Sequence, residues 1–227
     1  MKLSPFTSLI VVFLITLIGL AKMISKQYES VSGAGTVIIL NGPSCAGKSS
    51  IIKAFQAKQS APWLSIGIDN FFVAVLPPKF YLEDKPEQHA VMQGIASTDE
   101  LGNKIFTLKI GAEGQKIIKG MHNAIADYAK AGNNVIVDYI NYDDTWIADF
   151  TKALHGVKVL WVGVTASLKS IEVREKMRGR ANVEGHARSH YNTVHQGVTY
   201  DLMLDTDKLT SEQAADKIIK LLQNIKK

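Results

Sequence analysis

The chain has 227 residues, enough for one α/β domain with a sizeable core and one further segment. Its 46% apolar and 21% charged residues are the proportions of an ordinary globular protein, and 26 basic against 21 acidic side chains is too small an excess to call for a nucleic-acid partner. Cys45 is the one cysteine, which excludes an intrachain disulfide.

The chain opens on an uncharged stretch, residues 3–21, preceded by Lys2 and followed by Lys22 and Lys26. The stretch is about long enough to cross a bilayer and has no polar face, which argues against a core helix. Gly19, Leu20 and Ala21 also form a small-x-small pattern of the kind cleaved after a signal peptide. Residues 1–25 are therefore expected to be a membrane anchor or signal segment, and the polar, Gly/Ser-containing residues 26–35 a linker.

Residues 36–40 form a β-branched run that reads as a buried parallel strand. Gly42, Pro43, Ser44, Cys45, Ala46, Gly47, Lys48 and Ser49 follow, which is G-x-x-x-x-G-K-S with no position missing, and Ser50 continues into a helix over 49–58. Each fixed position has a phosphate-binding task. Gly42 and Gly47 allow a backbone whose amides point inward at an anion. Lys48 brings a point charge to the β- and γ-phosphates, and the Ser49 hydroxyl is a magnesium ligand. Strand, Gly-rich loop and helix aim a helix N-terminus at the phosphates. Residues 42–50 are therefore expected to bind ATP with Mg²⁺, and the Lys48 ammonium is expected to stand exposed in the site. Cys45 reads as a small loop residue, with a redox-sensitive thiol as the sharper alternative. An ATP site belongs in the cytosol, where a free thiol is at ease. The anchor is accordingly expected to be uncleaved, with the domain facing the cytoplasm; a start at Met23 or export are the alternatives.

Further along, residues 64–68 predict a second strand closed by Asp69. Residues 71–113 read as irregular, with Pro77, Pro78 and Pro86, except for a hairpin within 97–110 around Gly102 and Asn103. An amphipathic helix is predicted over 114–130, stopped by Gly132. Strands over 134–138, 157–164 and 199–204 alternate with helices over 144–154 and 167–178. Thr210 and Gln213 form a capping box that opens a last helix. Such alternation implies a parallel sheet covered on both faces.

Ligands in open α/β sheets collect at the carboxyl ends of the strands. Asp138 closes the third strand as the second magnesium-supporting acid does in this fold class, the alternative being a turn cap. Asp69, near the γ-phosphate, could take the proton of an acceptor hydroxyl, the alternative being an N-cap for Asn70 and Phe71. Asp205, with Thr206 and Asp207, reads as a turn. Arg174 and Arg178, four residues apart, share one helical face and could neutralise transferring charge. A solvated face paired with Glu172 and Glu175 is the other reading. His186, His190 and His195 lack metal-ligand spacing and read as surface or packing histidines.

The stretches 38–50, 62–69 (Pro62, Trp63, Leu64), 159–164, 174–180 and 194–201 (Val194, His195, Gly197, Val198, Tyr200, Asp201), with Asp205 and Thr206, keep the order of a known family. In them the domain resembles the chloramphenicol phosphotransferase family of P-loop kinases over roughly 36–207. The resemblance implies a P-loop NTPase-type three-layer fold with a five-stranded parallel sheet and a lid around 167–197. It also implies ATP-dependent phosphorylation of a small-molecule hydroxyl, with Asp69 as catalytic base and Arg174 and Arg178 as lid residues near the phosphates. The family places an acid where Arg180 stands, and residues 71–110 depart from the archetype. The expected activity is an ATP- and Mg²⁺-dependent phosphotransferase acting on a chloramphenicol-like antibiotic or related metabolite, with Lys48 among the catalytic residues. The expected partners are a small-molecule hydroxyl acceptor and the membrane; a homo-oligomer is compatible with the sequence. A zeta-toxin-like nucleotide-sugar kinase and a membrane-tethered nucleotide-binding module without transfer activity are the alternatives.

Overall fold

The computed structural model describes residues 33–77, 80, 90–179 and 183–224. The expected anchor, most of the expected linker, Pro78, Pro86 and Arg180 lie outside the described residues.

Strand β1 (Thr36–Asn41) is buried along its whole length, as befits the central strand of a sheet covered on both faces. It pairs in parallel with β5 (Asn134–Tyr139) on one side and β6 (Lys158–Thr165) on the other. β2 (Trp63–Gly67) adds to β5, and β7 (Leu202–Asp205) adds to β6. The five-stranded parallel sheet therefore runs β2-β5-β1-β6-β7; its parallel character was expected from the alternating pattern and its five strands from the family resemblance. The chain leaves β1 toward one edge and later returns to fill the other, so the crevice outside the carboxyl end of β1 is the natural ligand position.

Period-two alternation divides the sheet into two faces. Ile38 and Leu40 pack with Ile51, Ile52 and Phe55 of α1 (Lys48–Ala57) and with Ala214, Ala215, Ile218 and Leu222 of α7 (Ser211–Asn224). Val37 and Ile39 pack on the opposite face, with Ile118, Met121 and Ile125 of α3 (Ala112–Lys130) and Trp146 and Phe150 of α4 (Asp144–Ala153). The result is three layers. Thr210 caps α7 as expected: Gln213 N donates to its Oγ1 at 3.2 Å, and its own N–H donates to Gln213 Oε1 at 2.9 Å.

Two segments differ from the sequence reading. The hairpin is longer than expected, with β3 (Met92–Thr98) antiparallel to β4 (Lys104–Ile110) in a separate two-stranded sheet. β3 is exposed over most of its length, so it lacks the apolar alternation that marks a strand in sequence. The Asp99 carboxylate makes the turn by accepting from the amides of Leu101 and Asn103 at 3.0 and 2.8 Å. The last strand begins at Leu202 rather than 199. Asp201 precedes it and replaces a strand pairing: its N donates to Trp161 O at 2.9 Å, and its Oδ2 accepts from Trp161 N at 2.8 Å.

Candidate active site

The loop after β1 has the backbone its glycines predict. A Cβ on Gly42 would lie 2.1 Å from the carbonyl oxygen of Val164, so only glycine lets the chain turn this close to β6. Gly47, at φ 97°, starts α1, whose first-turn amides have no carbonyl a turn earlier and open at the loop. Cys45 holds φ 63° and is buried.

Lys48 differs from the expectation of an exposed ammonium. It is 5% exposed, and its Nζ donates to Gly42 O at 2.8 Å and Pro43 O at 3.0 Å, with Asp138 Oδ1 at 3.5 Å. The loop's own carbonyls fold the side chain inward and orient its charge. Burial lowers its pKa, and the Asp138 carboxylate acts against that shift. Asp138 also accepts the Ser49 hydroxyl on Oδ2 at 2.6 Å. Ser49 and Asp138, expected as the metal pair from positions 89 residues apart, are thus adjacent. Hard oxygen donors suit Mg²⁺, which usually takes one or two protein ligands and fills its remaining positions with phosphate and water; the residues present fit that ion.

Asp69 stands just beyond β2, in the first turn of α2 (Ile68–Phe72). It is not the cap of that helix: Asn70 Oδ1 accepts the Gly67 amide at 2.7 Å instead. The Asp69 side chain is exposed, with no hydrogen-bond partner among the described residues. Burial, then the charges of Asp69 and Asp138, push the Tyr142 phenol far above its ordinary pKa.

The two lid arginines separate. Arg174, on α5 (Leu168–Met177), does not hang over an open site. Its Nη1 donates to Thr206 Oγ1 at 2.8 Å and to Cys45 O at 3.4 Å, and its Nη2 donates to Thr206 O at 3.1 Å and lies 3.5 Å from Asp207 Oδ1. Thr206 in turn donates to Ala46 O at 2.9 Å. Arg178 ends α5, exposed, and its positive charge adds to the lowering of the Lys48 pKa. Neither pairs with the expected glutamates. Glu172 pairs with Arg188. Glu175, 8% exposed, accepts the amides of Gly185 and Ala187 at 2.8 Å each, at the start of α6 (His186–Ser189).

His186 and His190, read from the sequence as surface or packing histidines, are bonded into the site. His190, 4% exposed, accepts the Ser44 amide on Nε2 at 3.0 Å, so its proton is on Nδ1, toward Ser189 Oγ at 3.3 Å. Burial and the neighbouring His186 hold it well below the usual histidine pKa. His186 Nδ1 donates to Phe106 O at 3.2 Å, so its Nε2 accepts the Tyr142 hydroxyl at 2.9 Å. These bonds tie the α6 segment to the phosphate loop and to the hairpin. Gly185 presses on β4 so closely that a Cβ would lie 2.2 Å from Lys104 O.

Comparison with known proteins bears on this arrangement. The profile of the family described as chloramphenicol phosphotransferase-like protein matches residues 35–223. A Mycobacterium tuberculosis protein named "Putative O-phosphotransferase Rv2636" is 32% identical over 172 residues, 76% of this chain and 75% of its own length. Among solved structures, the M. tuberculosis APS kinase CysC in complex with AMPPNP and APS superposes with a TM-score of 0.56 at 16% identity, covering 84% of this chain and 98% of its own. The Deinococcus radiodurans tunicamycin resistance protein gives 0.57 at 16% identity, covering 83% and 95%. Shikimate kinase from Acinetobacter baumannii in complex with shikimate gives 0.51 at 12% identity, covering 87% and 98%. At these identities the solved structures establish a shared fold.

Proposed function

The chain belongs to the chloramphenicol phosphotransferase-like family, and from that premise we propose that it moves the γ-phosphate of ATP to a hydroxyl of a small molecule, a chloramphenicol-like antibiotic or a related metabolite. The observation that supports this reading most is the free Asp69 carboxylate at the carboxyl end of β2, on the same crevice as the Lys48, Ser49 and Asp138 cluster.

In this reading the loop amides of Cys45 and Gly47 and the first turn of α1 bind the phosphates, and Lys48, oriented by Gly42 O and Pro43 O, sets its charge against them. Ser49 and Asp138 would hold Mg²⁺, which when bound neutralises charge on the β- and γ-oxygens. The acceptor oxygen bonds to the γ-phosphorus as the bond to the bridging oxygen of ADP breaks, and Asp69 takes the hydroxyl proton. Arg178, with no ion-pair partner among the described residues, is the side chain free to meet charge on the transferring group. Arg174 holds the lid helix to the loop rather than reaching the phosphates. The uncharged residues 3–21 are assigned as an anchor that leaves this domain in the cytoplasm, although no helix among the described residues is long and apolar enough to cross a membrane.

The test is transfer of label from [γ-³²P]ATP with Mg²⁺ to a panel of neutral alcohols that includes chloramphenicol. Label on an alcohol from the wild type, lost with Asp69→Asn, supports the reading. No label on any member overturns it.

A further inference from the structure

On the sheet face that carries Asp69, a chain of polar side chains ends in two unpaired atoms. The alternation along β1 puts Asn41 on the side of Val37 and Ile39, the side where Ile68, Phe72 and Tyr142 also pack. Asn41 is fully buried. Its Oδ1 accepts the Asn141 amide at 3.0 Å, and its Nδ2 donates to Val194 O at 2.7 Å and to the Tyr200 hydroxyl oxygen at 2.6 Å. The same oxygen lies 2.7 Å from His195 Nδ1. With the Tyr200 hydroxyl donating to Nδ1, the neutral ring carries its proton on Nε2. His195 Nε2 is buried and has no partner among the described residues. The side-chain oxygen of Asn141, a residue only 3% exposed, is likewise buried without a partner among them.

Buried polar groups are nearly always paired, so a donor and an acceptor left open on one polar chain call for a ligand. Their place says which. Asn41 directly precedes Gly42 of the phosphate loop, and Asn141 lies three residues beyond Asp138. Both branches of the chain thus start from the catalytic loop and strand, on the side of the proton-accepting carboxylate.

We propose that His195 and Asn141 are the acceptor-positioning pair of this site: Nε2–H of His195 donates to, and Oδ1 of Asn141 accepts from, polar groups that flank the hydroxyl to be phosphorylated. The assignment rests on the phosphotransferase reading above. The ligand chemistry it selects is an uncharged group able to both accept and donate, such as an amide or a neighbouring hydroxyl. Arg174 and Arg188 are already engaged, by Thr206 and Asp207 and by Asp99 and Glu172, so neither is a free counter-charge for a carboxylate or phosphate on the acceptor. Tyr200 acts one step back, by fixing the His195 tautomer.

The experiment uses the full chain, [γ-³²P]ATP and the alcohol that wild type labels best in the neutral panel. His195→Ala and Asn141→Ala should each raise the KM for that alcohol by about 3- to 30-fold, the worth of one hydrogen bond, with the KM for ATP within about twofold of wild type. His195→Gln, which keeps a donor, should recover part of the loss. ¹⁵N NMR of the imidazole should show the Nε2–H tautomer in wild type and a mixture in Tyr200→Phe. An unchanged alcohol KM in both alanine variants, an ATP KM that rises in step, or a wild-type Nδ1–H tautomer each overturns the pairing while leaving the phosphotransferase intact. A wild type that labels no alcohol overturns the phosphotransferase reading and this assignment with it.

Discussion

Asp138 divides its carboxylate between two neighbours on α1, accepting the Ser49 hydroxyl on one oxygen at 2.6 Å and facing the Lys48 ammonium with the other at 3.5 Å. One side chain therefore sets both the metal-facing hydroxyl and the charge balance of the buried lysine. Asp138→Asn keeps the shape and halves that service. It should raise the Mg²⁺ concentration needed for half-maximal turnover and lower stability by about 1–3 kcal/mol, because the lysine loses the carboxylate that faces it. Magnesium titrations of activity and a denaturant melt of the variant check both parts; an unchanged Mg²⁺ requirement would remove Asp138 from the metal site.

Asp69→Asn tests the proton acceptor. Loss of a positioned base costs about 10²–10⁴ in rate. Transfer should fall by that factor with ATP affinity little changed. Stability should hold as well, since the α2 cap is supplied by Asn70 and not by Asp69. Weakened ATP·Mg²⁺ binding in this variant would instead make Asp69 a metal-supporting residue.

Acid should loosen the lid. His186, His190 and His195 all have pKa values lowered chiefly by burial, and His190 is far below the ordinary value. Below about pH 6.5 the unfolded chain binds protons that these folded histidines refuse, so stability falls as pH drops from about 6.5. His190 must also stay neutral at Nε2 to accept the Ser44 amide. His190→Gln should flatten part of the decline in melting temperature between about pH 6.5 and 5. A decline as steep as that of wild type would show that His190 does not contribute to it.

Residues 3–21 are expected to hold the protein at the membrane with the domain inside. Full-length protein should sediment with membranes, and protease added to intact cells should leave residues 33–224 uncut. A mature N-terminus at Lys22, or digestion from outside, would place the domain in a compartment without ATP and count against the proposed activity.

What could be read from the sequence was what the chain writes locally. The 42–49 loop, the run into Asp138 and the alternation of β1 are each contained within about one element, and each spacing maps directly onto geometry. The 92–110 hairpin was only half legible because β3 is stabilised by its partner strand and not by a buried face. Apart from Asp138, the partners of the loop were not legible. His190 reaches Ser44 across 146 residues and Thr206 reaches Ala46 across 160, and no local pattern encodes either meeting. Helical spacing gave the face of Arg174 but not that Thr206 and Cys45 O would lie against it.

The hairpin has a separate consequence. β3 pairs only with β4, and β4 joins the rest of this side through contacts with the α6 segment, such as Phe106 O with His186 and Lys104 with Glu184. Among the described residues no ladder connects it to the five-stranded sheet on which the phosphate loop depends. Exchanges of exposed side chains in residues 92–110 that spare Asp99, Lys104 and Phe106, which meet the α6 segment and through it the phosphate loop, can therefore be sampled over evolutionary time without disturbing that loop. A lineage carrying this architecture is free to vary the outer side of the hairpin much faster than the few positions that lean on α6.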